Sequence, residues 1–185
     1  MILKTKLLGH VYEFKSVKDA LAKANEVKSG DSLAGIAAET AEERVAAKVV
    51  VSNLTLSDLR NNPAVPYEED EVTRIIQDGV NETIYSQIQN WTVSELREWL
   101  LCEQNTVAEI RRISRGLTSE MVAAVAKLMS NMDLILAGSK IRVTATCNTT
   151  IGTDNVLASR LQPNHPVDDV EGVAASTLEG LSYGI

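Results

Sequence analysis

Five times between residues 16 and 109 a Ser or Thr is followed three positions later by an acid: Ser16/Asp19, Thr40/Glu43, Thr55/Asp58, Thr92/Glu95 and Thr106/Glu109. Such a pair closes a helix N-terminus, because the hydroxyl accepts from the third N–H while the carboxylate reaches back to the chain before it. Apolar stripes follow the starts. Val17, Ala20, Leu21, Ala24 and Val27 line one face after Ser16, with Gly30 as a stop. Val45, Ala46 and Val49 point to a core after Thr40, and a short helix after Thr55 closes at Asn61-Asn62-Pro63. Val72, Ile75, Ile76, Val80, Ile84 and Ile88 predict one long helix from Glu68 to Gln89, and Leu117-Thr118 leads into an Ala-rich helix ending at Met129. Residues 15–135 thus read as six or seven helices, preceded by a short hairpin in residues 2–14 with Gly9-His10 at its turn. The expected class is mostly α.

The remaining composition narrows the function. A chain of 185 residues with 44% hydrophobic and 23% charged residues is a soluble globular type, and 4% aromatics leave the core to Leu, Ile, Val and Ala. A net charge of −7 excludes a general nucleic-acid binder. No apolar run approaches the roughly 20 residues that cross a bilayer, and residues 1–14 have no signal-peptide pattern, so a reducing cytoplasm is expected. Cys102 and Cys147 make no disulfide framework, and the cysteines with His10 and His165 are not spaced as zinc ligands. The sequons at Asn53, Asn81, Asn90 and Asn148 then carry no weight. Glu68-Glu69-Asp70-Glu71 complements a helix N-terminus rather than holding a metal. Arg111, Arg112 and Arg115 suit a helix C-terminus closed by Gly116. Trp91 and Trp99 read as core.

The pattern changes after Gly138. Ile141–Thr146 is β-rich, Asn148–Gly152 is loop-like, Val156–Leu161 is a second strand candidate, and Asp168-Asp169 caps an amphipathic helix with Val170, Val173, Ala174 and Leu178 on one side. Leu181 onward leads toward another strand, which makes a βα unit and divides the chain at 1–138 and 139–185. On the second strand Arg160 and Gln162 share one face and Leu161 takes the other, while Pro163 ends any ladder. Spacing alone leaves two readings equal: a ligand site, or an arginine paired to a helix carboxylate beside a surface glutamine. In barrels of alternating strands and helices, the C-terminal strand ends build the active site.

Asn148-Thr149-Thr150-Ile151-Gly152 and Ser159-Arg160-Leu161-Gln162-Pro163-Asn164 resemble the large, catalytic subunit of ethanolamine ammonia-lyase. So do Ser29–Gly35, Glu43–Lys48, Arg60–Pro63 and Gly116–Glu120, in the same order along the whole chain. The resemblance implies an N-terminal fragment of a longer subunit: a helical region with an initial hairpin, then the first βα unit of a (β/α)8 (TIM) barrel. It implies the adenosylcobalamin-dependent radical conversion of ethanolamine to acetaldehyde and ammonia, with Arg160 and Gln162 as substrate-binding residues. No catalytic residue, metal ligand or cofactor contact is assigned to this stretch, since most cobalamin contacts belong to later strands. It further implies a small-subunit partner, self-association of large subunits, and a cytoplasmic location within a bacterial microcompartment. This stretch made alone is expected to be inactive. The alternative is a non-catalytic helical interaction module derived from the same subunit.

Overall fold

A computed structural model of the chain describes residues 2–141, 143–146, 150–153, 155–157 and 159–184. The expectations placed on Cys147, Asn148 and Ile185 lie outside these residues. The chain forms two compact units, residues 1–141 and 142–185.

The first unit begins with an antiparallel hairpin, β1 (Leu3–Leu7) and β2 (His10–Phe14), in register from Leu3–Phe14 to Leu7–His10. Its turn is Leu8-Gly9, one position earlier than expected, with φ values of 49° and 87°. A two-residue turn with both φ positive matches strand twist, and glycine supplies one of those positions without strain.

Ten helices follow among the described residues: α1 (Val17–Lys23), α2 (Ser29–Leu33), α3 (Ala41–Asn53), α4 (Leu56–Asn61), α5 (Glu71–Asp78), α6 (Glu82–Ile88), α7 (Val93–Leu101), α8 (Val107–Ser114), α9 (Ser119–Leu128) and α10 (Asn131–Lys140). All five expected starts are real. Thr55/Asp58, Thr92/Glu95 and Thr106/Glu109 are complete capping boxes. At Ser16 and Thr40 the hydroxyl caps in the same way, but the carboxylate reaches one residue further back, to the N–H of Lys15 (2.8 Å) and Glu39 (2.7 Å). A further hydroxyl–acid pair, Ser130/Asp133, forms a complete box and opens α10, which carries the helical region past Met129.

The structure corrects several expectations. The long helix from Glu68 to Gln89 is two helices. Gly79 ends α5, Val80 is buried, and Asn81 restarts the chain by accepting from the Ile84 N–H at 3.1 Å. The Asn81 N–H donates to the Arg115 carbonyl at 2.8 Å, so a distant segment holds the break open. Gly30 lies inside α2 rather than stopping α1, and Val27 is exposed. On α3 the buried residues are Ala46, Ala47, Val50 and Val51, while Val45 and Val49 face outward. Helix α3 is the centre of the unit and packs on α1, β1, β2, α7 and α9. Alanines on the crowded side let those neighbours approach closely.

Antiparallel backbone bonds tie the starts of α4 and α7 together: Leu56 N–H to Trp91 O and Val93 N–H to Leu54 O, both 2.9 Å. Helix α10 is tied to α7 by Arg97 with Asp133 at 2.6 Å, and by the Lys140 ammonium, which donates to the Cys102 carbonyl at 2.7 Å. The Arg97 guanidinium and the capping N–H of Ser130 hold the Asp133 carboxyl below the usual carboxylate range.

The second unit contains a minimal antiparallel pair, β3 (Ala145–Thr146) with β4 (Thr150–Ile151), and one helix, α11 (Val170–Ser182), capped by Asp169. The strand expected over Ile141–Thr146 shrinks to β3. The described residues of Val156–Leu161 are not a strand, because no segment there offers a ladder. Helix α11 runs on through Leu181 and Ser182, where a strand was expected, and Tyr183 caps it ahead of Gly184. Val170, Ala174 and Leu178 are exposed, whereas Val173 is half-buried and Gly180 is buried. No helix among the described residues is long and apolar enough to cross a membrane.

Two outcomes follow from the first unit. Leu56 is fully buried in the central cluster, so Leu56→Ala should lower unfolding stability by about 2–5 kcal/mol in urea titrations. Asp133 contributes stability that is in place above its unfolded pKa, about 4, and is lost as pH falls through the lowered native value. Melting curves of Asp133→Asn and the parent chain should therefore diverge above about pH 4 and converge in stronger acid.

Candidate functional site

The described residues of the first unit form, among others, two clefts that could take a ligand. A cleft of about 490 Å³ is bordered by Arg60, Asn61, Asn62, Pro66 and Tyr67. Its cation is already committed. Arg60 donates through Nε to Gln77 Oε1 (3.0 Å) and through Nη1 and Nη2 to the Glu82 carboxylate (2.9 and 2.5 Å), and lies 4.3 Å from the Tyr85 ring centroid. The Tyr67 hydroxyl donates to Asp78 at 3.1 Å, which pushes the phenol up and keeps its proton in place. Arg60 is thus a structural clamp joining α4, α5 and α6. Sequence reasoning missed it, since its partners lie 17 and 22 residues away with no local pattern to signal them. The second place is a groove of about 210 Å³ between α7, α9 and α10, bordered by Leu96, Leu117, Val125, Met129 and Leu134. Carbon lines it almost throughout, so it has little with which to orient a polar ligand.

The other charge clusters behave as local chemistry predicts. Asp70 caps α5, and the Thr73 N–H at 2.7 Å draws its carboxyl down. Arg111 and Arg112 occupy the last turn of α8, with Arg112 donating to Gln87 at 3.0 Å. Trp91 and Trp99 pack half-buried on the core with ring centroids 5.8 Å apart. Among the described residues no cluster of His, Cys, Asp and Glu could hold a metal.

In the second unit, Arg160 and Gln162 are exposed and Leu161 between them is half-buried. Their side chains meet. With the carboxamide in the orientation that satisfies both groups, Gln162 Oε1 accepts from Arg160 Nε at 3.1 Å and also from Nη2. No carboxylate forms an ion pair with Arg160 among the described residues. Pro163 and Asn164 follow on the exposed side, and His165 turns back, half-buried, with Nδ1 accepting from the Val167 N–H at 3.4 Å. A guanidinium offers planar donors and a carboxamide offers an acceptor beside them. The pair can therefore hold a small molecule carrying both a hydroxyl oxygen and a cationic N–H group.

The family model described as ethanolamine ammonia lyase large subunit (EutB) matches residues 12–185. The ethanolamine ammonia-lyase large subunit of Escherichia coli K12 is 56% identical over 185 residues, and that of Salmonella typhimurium is 57% identical over 184. Each match covers 100% of this chain and 41% of the relative, so the chain spans about two-fifths of the length of those proteins. Identity at this level over every element described above shows that the chain belongs to the ethanolamine ammonia-lyase large subunit family.

Proposed function

We propose that this chain supplies two substrate contacts to an adenosylcobalamin-dependent ethanolamine ammonia-lyase, a carbon–nitrogen lyase that forms acetaldehyde and ammonia. The observation that carries the reading is the meeting of Arg160 and Gln162 on the exposed side of one segment, with no carboxylate among the described residues ion-paired to the arginine. The guanidinium donates to the hydroxyl oxygen of ethanolamine, and the Gln162 carbonyl accepts from its ammonium. Without substrate the two side chains satisfy each other; substrate divides the pair and takes one end from each. Fixing both ends of a small substrate holds its geometry through a reaction whose difficult chemistry belongs to the cofactor.

Neither cleft described above is large enough to seat a corrin. The cleft beside Arg60 has room for a drug-sized ligand at most, and its arginine is spent on Gln77 and Glu82. No cofactor contact is assigned here. In this reading residues 1–138 are a helical domain, and residues 139–185 are the first βα unit of a (β/α)8 barrel. Val156–Leu161 becomes a ladder strand when flanking strands supply its hydrogen bonds. The partners that accompany the reading are a small subunit and further large subunits, in a cytoplasmic compartment.

The test uses the complete large subunit carrying this sequence, assembled with its small subunit and adenosylcobalamin. Arg160→Ala and Gln162→Ala should each lower kcat/KM for ethanolamine about 10- to 100-fold, the range for a hydrogen bond to a charged partner. Values within twofold of the parent would refute the assignment. The 185-residue chain alone should release no acetaldehyde under the same conditions.

A further inference from the structure

Helix α11 carries two glycines in its body, Gly172 and Gly180, although each costs a helix about 1 kcal/mol relative to alanine. Both are covered by the segment that bears Arg160 and Gln162. A Cβ on Gly180 would fall among the Leu161 methyls, 2.7 Å from Cδ2 and 3.0 Å from Cγ. A Cβ on Gly172 would lie 2.8 Å from both Cγ and Nε2 of His165, and closer still to Cδ2. Cγ stays in place when a side chain rotates about χ2, so His165 escapes only by moving its χ1 or its backbone, and Leu161 must turn its methyls away and still give a few tenths of an ångström at Cγ. Leu161 and His165 are therefore seated in two sockets that only glycine leaves open.

The spacing of the sockets matches the segment. From Gly172 to Gly180 the helix rises about 12 Å, at 1.5 Å per residue. Gln162 precedes Pro163 and His165 precedes Pro166, which biases both toward extended backbone. At about 3.1 Å per residue, the four steps from Leu161 to His165 also span about 12 Å. The segment thus runs antiparallel to α11, Leu161 over Gly180 and His165 over Gly172, with one anchor at each end. Arg160 and Gln162 flank the Leu161 anchor and face away from it.

We propose that Gly172 and Gly180 are positioning residues for substrate: their sockets set the height and register of the segment, and through it the placement of Arg160 and Gln162. The proposal rests on the reading of that pair as substrate contacts. A helix glycine here serves the close approach of another backbone rather than its own flexibility.

The experiment is a pair of double-mutant cycles in the assembled enzyme, made from the complete large subunit, its small subunit and adenosylcobalamin. Gly180→Ala should lower kcat/KM for ethanolamine at least tenfold in the parent background. In a Leu161→Ala background, where the socket has no occupant to displace, it should cost less than twofold. Gly172→Ala should behave likewise, with His165→Ala as its relieving partner. Hydrogen exchange in peptides covering residues 159–168 should quicken at least tenfold in each glycine variant and return toward its background in each double variant. Glycine variants within twofold of the parent, or equal losses in both backgrounds, would overturn the proposal. If Gly180→Ala does not assemble, the Gly172 cycle decides alone. Arg160→Ala separates the two ideas. If it leaves kcat/KM unchanged, the substrate reading fails and takes the positioning role with it. If it lowers kcat/KM while both glycine variants are silent, only the positioning role fails.

Discussion

No helix among the described residues exceeds 13 residues, and at that length an isolated helix is marginal in water. The first unit therefore depends on packing α1, α7 and α9 against α3 and on closing the first turn of most short helices with a side chain. Thr55 and Thr92 do this side by side. The backbone bonds between Leu56 and Trp91 and between Val93 and Leu54 make the starts of α4 and α7 one assembly. Asp133 extends the device: it caps α10 and, with the same oxygen, accepts from Arg97 of α7. One carboxylate thus closes a helix and fixes its neighbour.

The second unit is built with less. Its described residues form a two-residue pair of strands and one helix, so the order of the Arg160 segment comes from the fit of Leu161 and His165 against α11. That fit leaves the polar side chains of residues 160 and 162 together on the exposed side, where they satisfy each other. Among the described residues the Arg160 guanidinium is held by a carboxamide and not by a carboxylate.

Much of this was legible in the residues. The hydroxyl–acid pairs at Ser16, Thr40, Thr55, Thr92 and Thr106 mark real helix starts, because capping is a local interaction completed within four residues. Arg160 and Gln162 do stand on one side of the chain, although the strand whose alternation led to that expectation is not formed among the described residues. The break between α5 and α6 was not legible, since apolar spacing runs through it and the bond that holds it comes from Arg115. Nor was the buried face of α3, where alanines rather than valines meet the core because five neighbours crowd that side.

The sequence by itself determined where most of the described helices begin, that the N-terminus is a hairpin, and which two polar side chains stand together near residue 160. These are short-range matters of hydrogen-bond satisfaction and side-chain direction. Only the tertiary structure decided which face of each helix is buried, that the described residues of Val156–Leu161 have no ladder here, and why α11 tolerates glycine at 172 and 180. Those depend on what approaches from elsewhere in the chain, and a missing Cβ is read as a socket only when the residue that fills it is seen.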